Sequence, residues 1–283
     1  MDKGAPKMEL WAKEYHTKDM AISYRIKQTL HTERSKYQDI ALVETYQYGR
    51  MLLLDSIVQT TEKDEFVYHE MITHVPLCAH PNPKRVLVVG GGDGGAIREI
   101  LKHPTIEEAV LVEIDQRVVD LSKEYLPSIA CALDDPRVTI HIADGIEYVK
   151  QARNEFDLII VDSTDPIGPA VGLFAQEFYR NLHVALREDG MFVAQTESPW
   201  VNQELIPGLH EGLQSVFPIV RLYLAAIPTY QSGLFSFTVC SKRHDPTSIQ
   251  ADAPTLETKY YSPAIHQAAF VLPPFIANII RMR

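Results

Sequence analysis

The spacing of apolar residues changes character along this chain, and the changes mark out its elements. Between Met20 and Thr60 apolar positions come in short strand-like runs with few glycines: Ala21-Ile-Ser-Tyr-Arg-Ile, Ile40-Ala-Leu-Val-Glu-Thr, and a stretch from Tyr48 to Gln59 broken by Asp55-Ser56. Partial alternation with period two predicts half-buried strands, and the polar pair predicts a hairpin turn. A small antiparallel β-domain is expected here, after a loose, lysine-bearing lead-in over residues 1 to about 10. From Asp64 to Pro76 the spacing becomes helical, with Phe66, Glu70, Met71, His74 and Val75 on one side and Tyr68 and His69 on an adjoining one. Asp64 and Glu65 suit the positive end of that helix. His80-Pro-Asn-Pro then interrupts the chain. Residues 1–62 are accordingly expected to form the β-domain and 63–283 a second, larger domain.

In the second domain strand and helix patterns alternate. Val86 to Val89 run into a glycine cluster and a helix with Ile97, Ile100 and Leu101 on one face, stopped by Pro104. Val110-Leu-Val, Val138 to Ile142 and Leu158 to Asp162 are further strands, with helices over Val118–Tyr125 and after Gly145. The unbroken apolar run Leu158-Ile-Ile-Val predicts burial on both faces. A helix is expected from about Phe174 to Arg187, a strand over Met191–Gln195, and a helix over 203–216 that Pro207-Gly208 kinks or opens. Arg221–Ala226 and Leu234–Cys240 are joined by Ile227-Pro-Thr-Tyr-Gln-Ser-Gly, too short for a crossover, so they pair antiparallel. The outcome is a doubly wound α/β fold, a mostly parallel sheet finished by an antiparallel hairpin.

Composition narrows the function classes. With 283 residues there is room for a large core and an accessory unit. A formal net charge of −10 argues against a nucleic-acid partner, which would need a basic face. No apolar run approaches the ~18 residues of a membrane span, and the N-terminus has no signal-peptide core, so neither is expected. Cys78, Cys131 and Cys240 are scattered and odd in number, without metal-site spacing, which suits reduced thiols in a cytoplasmic protein.

The glycine cluster carries the first chemical signal. Gly90, Gly92 and Gly95 fit G-x-G-x-x-G after a strand, and Glu113 ends the next strand roughly 20 residues on, where a ribose-binding acid belongs. Asp93 sits inside the turn. It can cap the following helix, but it would repel a pyrophosphate, which disfavours a nicotinamide dinucleotide, and it would welcome a cationic nucleoside such as a sulfonium. Ligands of such sheets bind outside the carboxyl ends of the strands, where Glu113, Asp144 and Asp162 also fall, with Asp165 three residues further. Asp144-Gly145 is placed to accept from an adenine amino group, although a strand-end Asp often caps the next helix. Asp162 and Asp165, in Asp-Ser-Thr-Asp-Pro, add to a negative pocket that a bound polycation would relieve. A sulfonium nucleoside beside a polyamine implies alkyl transfer to an amine. Asp162 is the candidate base, with Tyr68 and Tyr230 as aromatic walls.

Taken together, Gly-Gly-Gly-Asp-Gly-Gly, Asp64-Glu-Phe-Val-Tyr-His-Glu-Met, Asp162-Ser-Thr-Asp-Pro-Ile-Gly-Pro, Ile227-Pro-Thr-Tyr-Gln-Ser-Gly and Glu257-Thr-Lys-Tyr-Tyr-Ser resemble the signatures of the polyamine aminopropyltransferases, bacterial spermidine synthases above all. The resemblance runs from Trp11 to about Pro274. It implies a methyltransferase-like Rossmann domain with a seven-stranded sheet behind an N-terminal β-domain. It also implies transfer of aminopropyl from decarboxylated S-adenosylmethionine to putrescine without metal or cofactor, in a homodimer or homotetramer. By the same resemblance Gln38, Asp93, Glu113, Asp144, Gly145 and Pro169 hold the donor. Asp162 is the proton acceptor, and Tyr68, His69, Asp93, Asp162, Asp165, Gln195 and Tyr230 meet the diamine; Gln59 and Trp11 are further positions it suggests. Cadaverine or spermidine as acceptor, a small-molecule methyltransferase, and a non-catalytic polyamine-binding protein are the competing readings. An intact donor's carboxylate would be repelled by Asp93 and the Asp162/Asp165 pair.

Overall fold

The computed structural model describes residues 8–163, 172–173 and 175–281. The chain divides into two compact units, Met1–Asp64 and Glu65–Arg283.

The first unit is a five-stranded antiparallel sheet in sequential order, β1 (Leu10–Thr17), β2 (Met20–Arg34), β3 (Asp39–Thr45), β4 (Arg50–Leu54) and β5 (Ile57–Thr61). Tyr24, Val43, Met51, Leu53 and Val58 form a buried cluster in it. Asp55 and Ser56 both take positive φ, 46° and 68°, the twist that a two-residue hairpin turn requires. The sheet begins earlier than the apolar pattern predicts. In β1 the side chains buried along the strand include Glu14 and His16, so an inward face exists without an apolar signature.

The second unit opens with α1 (Glu65–Ala79), then β6 (Arg85–Gly90), α2 (Gly95–Ile100), β7 (Glu108–Glu113), α3 (Gln116–Tyr125), α4 (Pro127–Ala130), β8 (Val138–Ile142), α5 (Gly145–Gln151) and β9 (Phe156–Asp162). There follow α6 (Gln176–Ala185), β10 (Leu186–Gln195), α7 (Leu205–Gln214), β11 (Ile219–Ala226), β12 (Leu234–Ser241), α8 (Pro263–Ala269) and α9 (Pro274–Ile279). The seven strands lie in the order β11-β12-β10-β9-β6-β7-β8, with β12 antiparallel to both neighbours and the pairs from β10 to β8 parallel. Side chains alternate across the sheet. Val86, Val88, Leu158 and Ile160 pack with Met71, Ile72 and Val75 of α1, while Leu87, Val89, Ile159 and Val161 pack with Phe178 and Leu182 of α6. Each such branched or aromatic side chain contributes about 1.5–3 kcal/mol when fully buried, which explains why β6 and β9 read as continuous apolar runs.

Two helix ends differ from the sequence expectation. The first helix does not stop at Pro76. It continues to Ala79, and the His80 N–H donates to the Pro76 carbonyl at 3.0 Å. The helix expected from Phe174 to Arg187 ends at Ala185, because Leu186 turns extended and pairs with Phe156 of β9; Phe174 itself lies outside the described residues.

Candidate active site

The strand order reverses between β6 and β9, since β7 and β8 build outward on one side of β6 and β9 starts the other. That crevice, at the carboxyl ends, is where open α/β sheets take ligands. Gly90, the last residue of β6, pairs with Asp162, the last of β9. Gly90 has φ 80°, and a Cβ there would run into the Asp162 carbonyl oxygen, so only glycine lets the two strand ends close together. A Cβ at Gly91 would sit 2.8 Å from Asp162 Oδ2.

Among the described residues Asp162 has one hydrogen-bond partner at its carboxylate: Tyr68 Oη donates to Oδ1 at 2.7 Å, from α1. Its Oδ2 is shielded from solvent and has no partner among the described residues. Burial and the nearby Asp93 charge push its pKa up to about 6, against the opposing pull of His69 and the Tyr68 hydrogen bond. The phenol of Tyr68 is in turn pushed well above its ordinary value by burial and the Asp162 charge, so it stays a donor.

Asp93 does two things at once. Its Oδ1 accepts from Gly95 N–H at 2.8 Å at the start of α2, where Gly94 rather than Asp93 takes the N-cap position, and its Oδ2 lies 3.4 Å from His69 Nε2. His69 is buried, and its other ring nitrogen is 2.6 Å from Glu65 Oε2, one turn earlier on α1. Arg98 of α2 clasps Glu65 with two contacts, 3.1 and 2.8 Å. Burial alone would lower the His69 pKa, but Asp93 and Glu65 outweigh it and hold the ring well above its ordinary value; burial alone would raise Asp93, but His69 holds it below the usual carboxylate range. Donor atoms of His69, Asp93 and Asp162 come within 4.8 Å of one another. A ring that carries a proton on each nitrogen, one toward each carboxylate, would have no lone pair for a metal, and the trio would then suit an ammonium group.

The opposite edge of the sheet treats its acid differently. At the start of β9, Asp157 accepts from Lys84 N–H and Arg85 N–H and from the Arg187 guanidinium, all at 2.8–3.0 Å. At the carboxyl edge the acids have no such direct arginine or lysine partner among the described residues. Glu113 is buried and pushed up to about 7, chiefly by burial, while its Oε1 accepts from Asp115 N–H at 2.9 Å. Asp144 is exposed and caps α5 by accepting from Ile146 N–H at 2.8 Å, so the plainer role foreseen for it is realised with one oxygen. Gly145 opens that helix.

Known proteins share this arrangement of sheet and glycine turn. Residues 65–251 match the model of the spermine/spermidine synthase domain, and residues 10–62 match that of the spermidine synthase tetramerisation domain. The chain belongs to the spermine/spermidine synthase family. Its relatives include a polyamine aminopropyltransferase of Moorella thermoacetica, 60% identical over 96% of each chain, and one of Shouchella clausii, 56% identical over 97% of this chain and all of the other. Among solved structures it resembles a spermidine synthase in complex with the transition-state analogue AdoDATO (TM-score 0.94, 42% identity, 99% and 98% of the two chains) and the spermidine synthase of Thermotoga maritima (TM-score 0.92, 41% identity, 99% and 97%). The expected family, fold and enzyme class are therefore found. No helix among the described residues is long and apolar enough to cross a membrane.

The edge brings Tyr68, His69, Asp93, Glu113 and Asp162 onto neighbouring elements of the second unit, with Gln195 at the end of β10. The Gln195 amide faces the Ser163 carbonyl at 3.4 Å and accepts from Glu197 N–H at 2.9 Å. Tyr230 precedes a tight 3-10 turn, its ring 5.5 Å from that of Tyr68. Gln38, Trp11 and Gln59 belong to the first unit: Gln38 lies in the turn between β2 and β3, held by Ser35, Trp11 on β1 and Gln59 on β5. Asp165 and Pro169 lie outside the described residues. Both nitrogens of His69 face carboxylates, those of Glu65 and Asp93. Neither Glu65, read from sequence only as an acid at the helix start, nor Arg98 is given a part in the site by the motifs. The i,i+4 spacing of Glu65 and His69 is the one sequence signal for the first; nothing in the sequence joins Arg98 to them.

Proposed function

We propose that this aminopropyltransferase moves aminopropyl from decarboxylated S-adenosylmethionine to putrescine, yielding spermidine and 5′-methylthioadenosine. The donor is a co-substrate, and no resident cofactor or metal is needed. The attacking amine nitrogen forms a bond to the aminopropyl carbon on sulfur. The C–S electron pair leaves with sulfur as a neutral thioether, and the proton shed by nitrogen goes to Asp162. An alkylammonium near ~10.4 and an ordinary carboxylate near ~4 are about 6 units apart, roughly 8 kcal/mol. With Asp162 at about 6, the gap falls to about 4 units, roughly 6 kcal/mol. That buried, half-unpartnered carboxylate is the observation that carries the proposal. Asp93 is assigned the transferred aminopropyl ammonium, and Glu113 the ribose. Asp144, Gly145 and Pro169 take adenine, and Tyr68, Asp165, Gln195 and Tyr230 the acceptor chain.

Support for self-association, as homodimer or homotetramer, comes from the match of residues 10–62 to a tetramerisation domain. Three unpaired cysteines suit the reducing cytoplasm. The test is product analysis with the decarboxylated donor and a panel of putrescine, cadaverine and spermidine. Spermidine and methylthioadenosine in equal amounts, with putrescine preferred, are expected. Preference for another amine reassigns the acceptor, and methylated amine from intact S-adenosylmethionine without spermidine overturns the reaction.

A further inference from the structure

His69 sits at the centre of a buried line of charges that begins at Asp93, and beyond Asp93 the transfer step described above gives the line no part. From the glycine turn inward run Asp93, His69, Glu65 and Arg98, and Arg98 Nε continues to Glu99 Oε1 at 2.8 Å. Glu99 Oε2 meets Lys102 at 2.6 Å and His74 Nε2 at 3.0 Å, and His74 Nδ1 faces His103 at 3.0 Å. Glu65, His69, His74, Glu99 and His103 are all buried. Burying this many ionisable groups is costly unless each is paired. The line is long, yet every charge alternates in sign from Asp93 to Glu99.

The placement of His69 is over-determined. A Cβ on Gly95 would run into its ring, so the ring packs on the bare N-terminal turn of α2. The edge of that ring faces Tyr68, with centroids 5.4 Å apart. The charged and titratable groups around it, among the described residues, are Glu65 of its own helix, Asp93 of the glycine turn, Arg98 of α2 through Glu65, and Asp162 of β9 beside Tyr68. A ring flanked by carboxylates on both nitrogens donates to both only as imidazolium. An arginine fork then fixes the carboxylate that fixes the ring.

We infer that Glu65 and Arg98 are positioning residues for aminopropyl transfer: Glu65, aimed by Arg98, keeps His69 doubly protonated against Asp93, so that Asp93 stays anionic and the acceptor's proton is directed to Asp162. The consequence is a division of labour between two acids on one crevice. Asp93 is compensated by a fixed cation and serves as an anchor. Asp162, whose only direct partner among the described residues is the neutral Tyr68 phenol, is left free to take a proton. This rests on Asp162 acting as base, but its first test needs no substrate.

In wild-type enzyme labelled with 15N-histidine, with His69→Gln used to identify the signals, both His69 ring nitrogens should keep imidazolium shifts from pH 6 to pH 9. A ring that turns neutral below pH 8 overturns the inference while leaving the transfer reaction intact. In Glu65→Gln the ring loses one of its two anions and should titrate at lower pH. Once it is neutral, nothing offsets the Asp93 charge felt by Asp162, and the acid limb of kcat/KM for the diamine should move upward by about one unit. Arg98→Gln leaves Glu65 anionic, so its limb should stay in place while kcat/KM falls. Glu65→Gln that is folded by circular dichroism yet keeps the wild-type limb contradicts the inference, as does an equal limb shift in both variants. Should Glu65→Gln not fold, the wild-type ring titration decides alone.

Discussion

Replacing Asp162 with asparagine should abolish turnover and at the same time change how stability depends on pH. The carboxyl has a pKa of about 6 in the folded protein against an ordinary value of 3.8. Because the folded value is raised, the stability this group contributes is fully present below 3.8, and it is lost as pH rises through about 6. The full difference, about 2 units, is roughly 3 kcal/mol at ~1.4 kcal/mol per unit. Integrated between pH 4.5 and pH 8 with these two values, roughly 2 kcal/mol of it is lost. A carboxamide at this position does not ionise, so the Asp162→Asn variant escapes that loss. Any fixed cost of its amide, such as an unsatisfied N–H where Oδ2 has no partner, is present at both pH values and cancels in the difference. Urea unfolding of both proteins at pH 4.5 and 8 should therefore show the variant gaining about 2 kcal/mol relative to wild type over that interval. Turnover with the decarboxylated donor should fall at least ~100-fold. A relative stability independent of pH would mean that Asp162 is not a strained carboxylate, and near-wild-type turnover would move the base elsewhere.

Three further perturbations probe the same crevice. Tyr68→Phe removes the one donor that the described residues place on the Asp162 carboxylate. A hydrogen bond to a charged group is worth about 1.5–3 kcal/mol, so the acid limb of kcat/KM should rise by about one to two units, and an unmoved limb would refute the assignment. Gly95→Ala puts a methyl group into the His69 ring; a folded variant with kcat/KM reduced about 10-fold or more is expected, and undiminished activity would show that the ring's position does not matter. Glu113, raised to about 7, accepts ribose hydroxyls best when ionised, so 5′-methylthioadenosine measured by calorimetry should bind more tightly at pH 8 than at pH 6. Glu113→Gln should weaken binding and flatten that dependence, whereas a flat wild-type profile would remove Glu113 from the ribose.

How legible the molecule was in its sequence depended on whether a residue's role was local. The glycine turn, the strand ending at Asp162 and the Asp55-Ser56 hairpin were readable because each is set by neighbours in the chain, through apolar runs and turn chemistry. The first strand was not, since Glu14 and His16 occupy inward positions that an apolar pattern would have marked. The first helix was read as one-sided, yet all but one of its residues are buried. Its Glu70 accepts from Lys259, Tyr260 and Tyr261 N–H, each at 2.8 Å, so the tail closes over this helix. The acids of the candidate site were legible because each lies at or just beyond the carboxyl end of a strand of a recognisable sheet. The cation among them was not: the state of His69 is set by Glu65 and Asp93 together and by Arg98 from another helix, a coupling that no single stretch of sequence displays.

The central claim is that the acceptor arrives as an ammonium and gives its proton to a buried carboxylate. Its most direct measurement is kcat/KM for putrescine from pH 4.5 to pH 8.5 with the donor saturating. If Asp162 takes the proton from a bound ammonium, the rate should rise through an apparent pKa of about 6 and then level off, well below the ~10.4 of the free amine. A rate that climbs about tenfold per pH unit straight through pH 8 would instead mean that only the free amine reacts and that Asp162 is not its base.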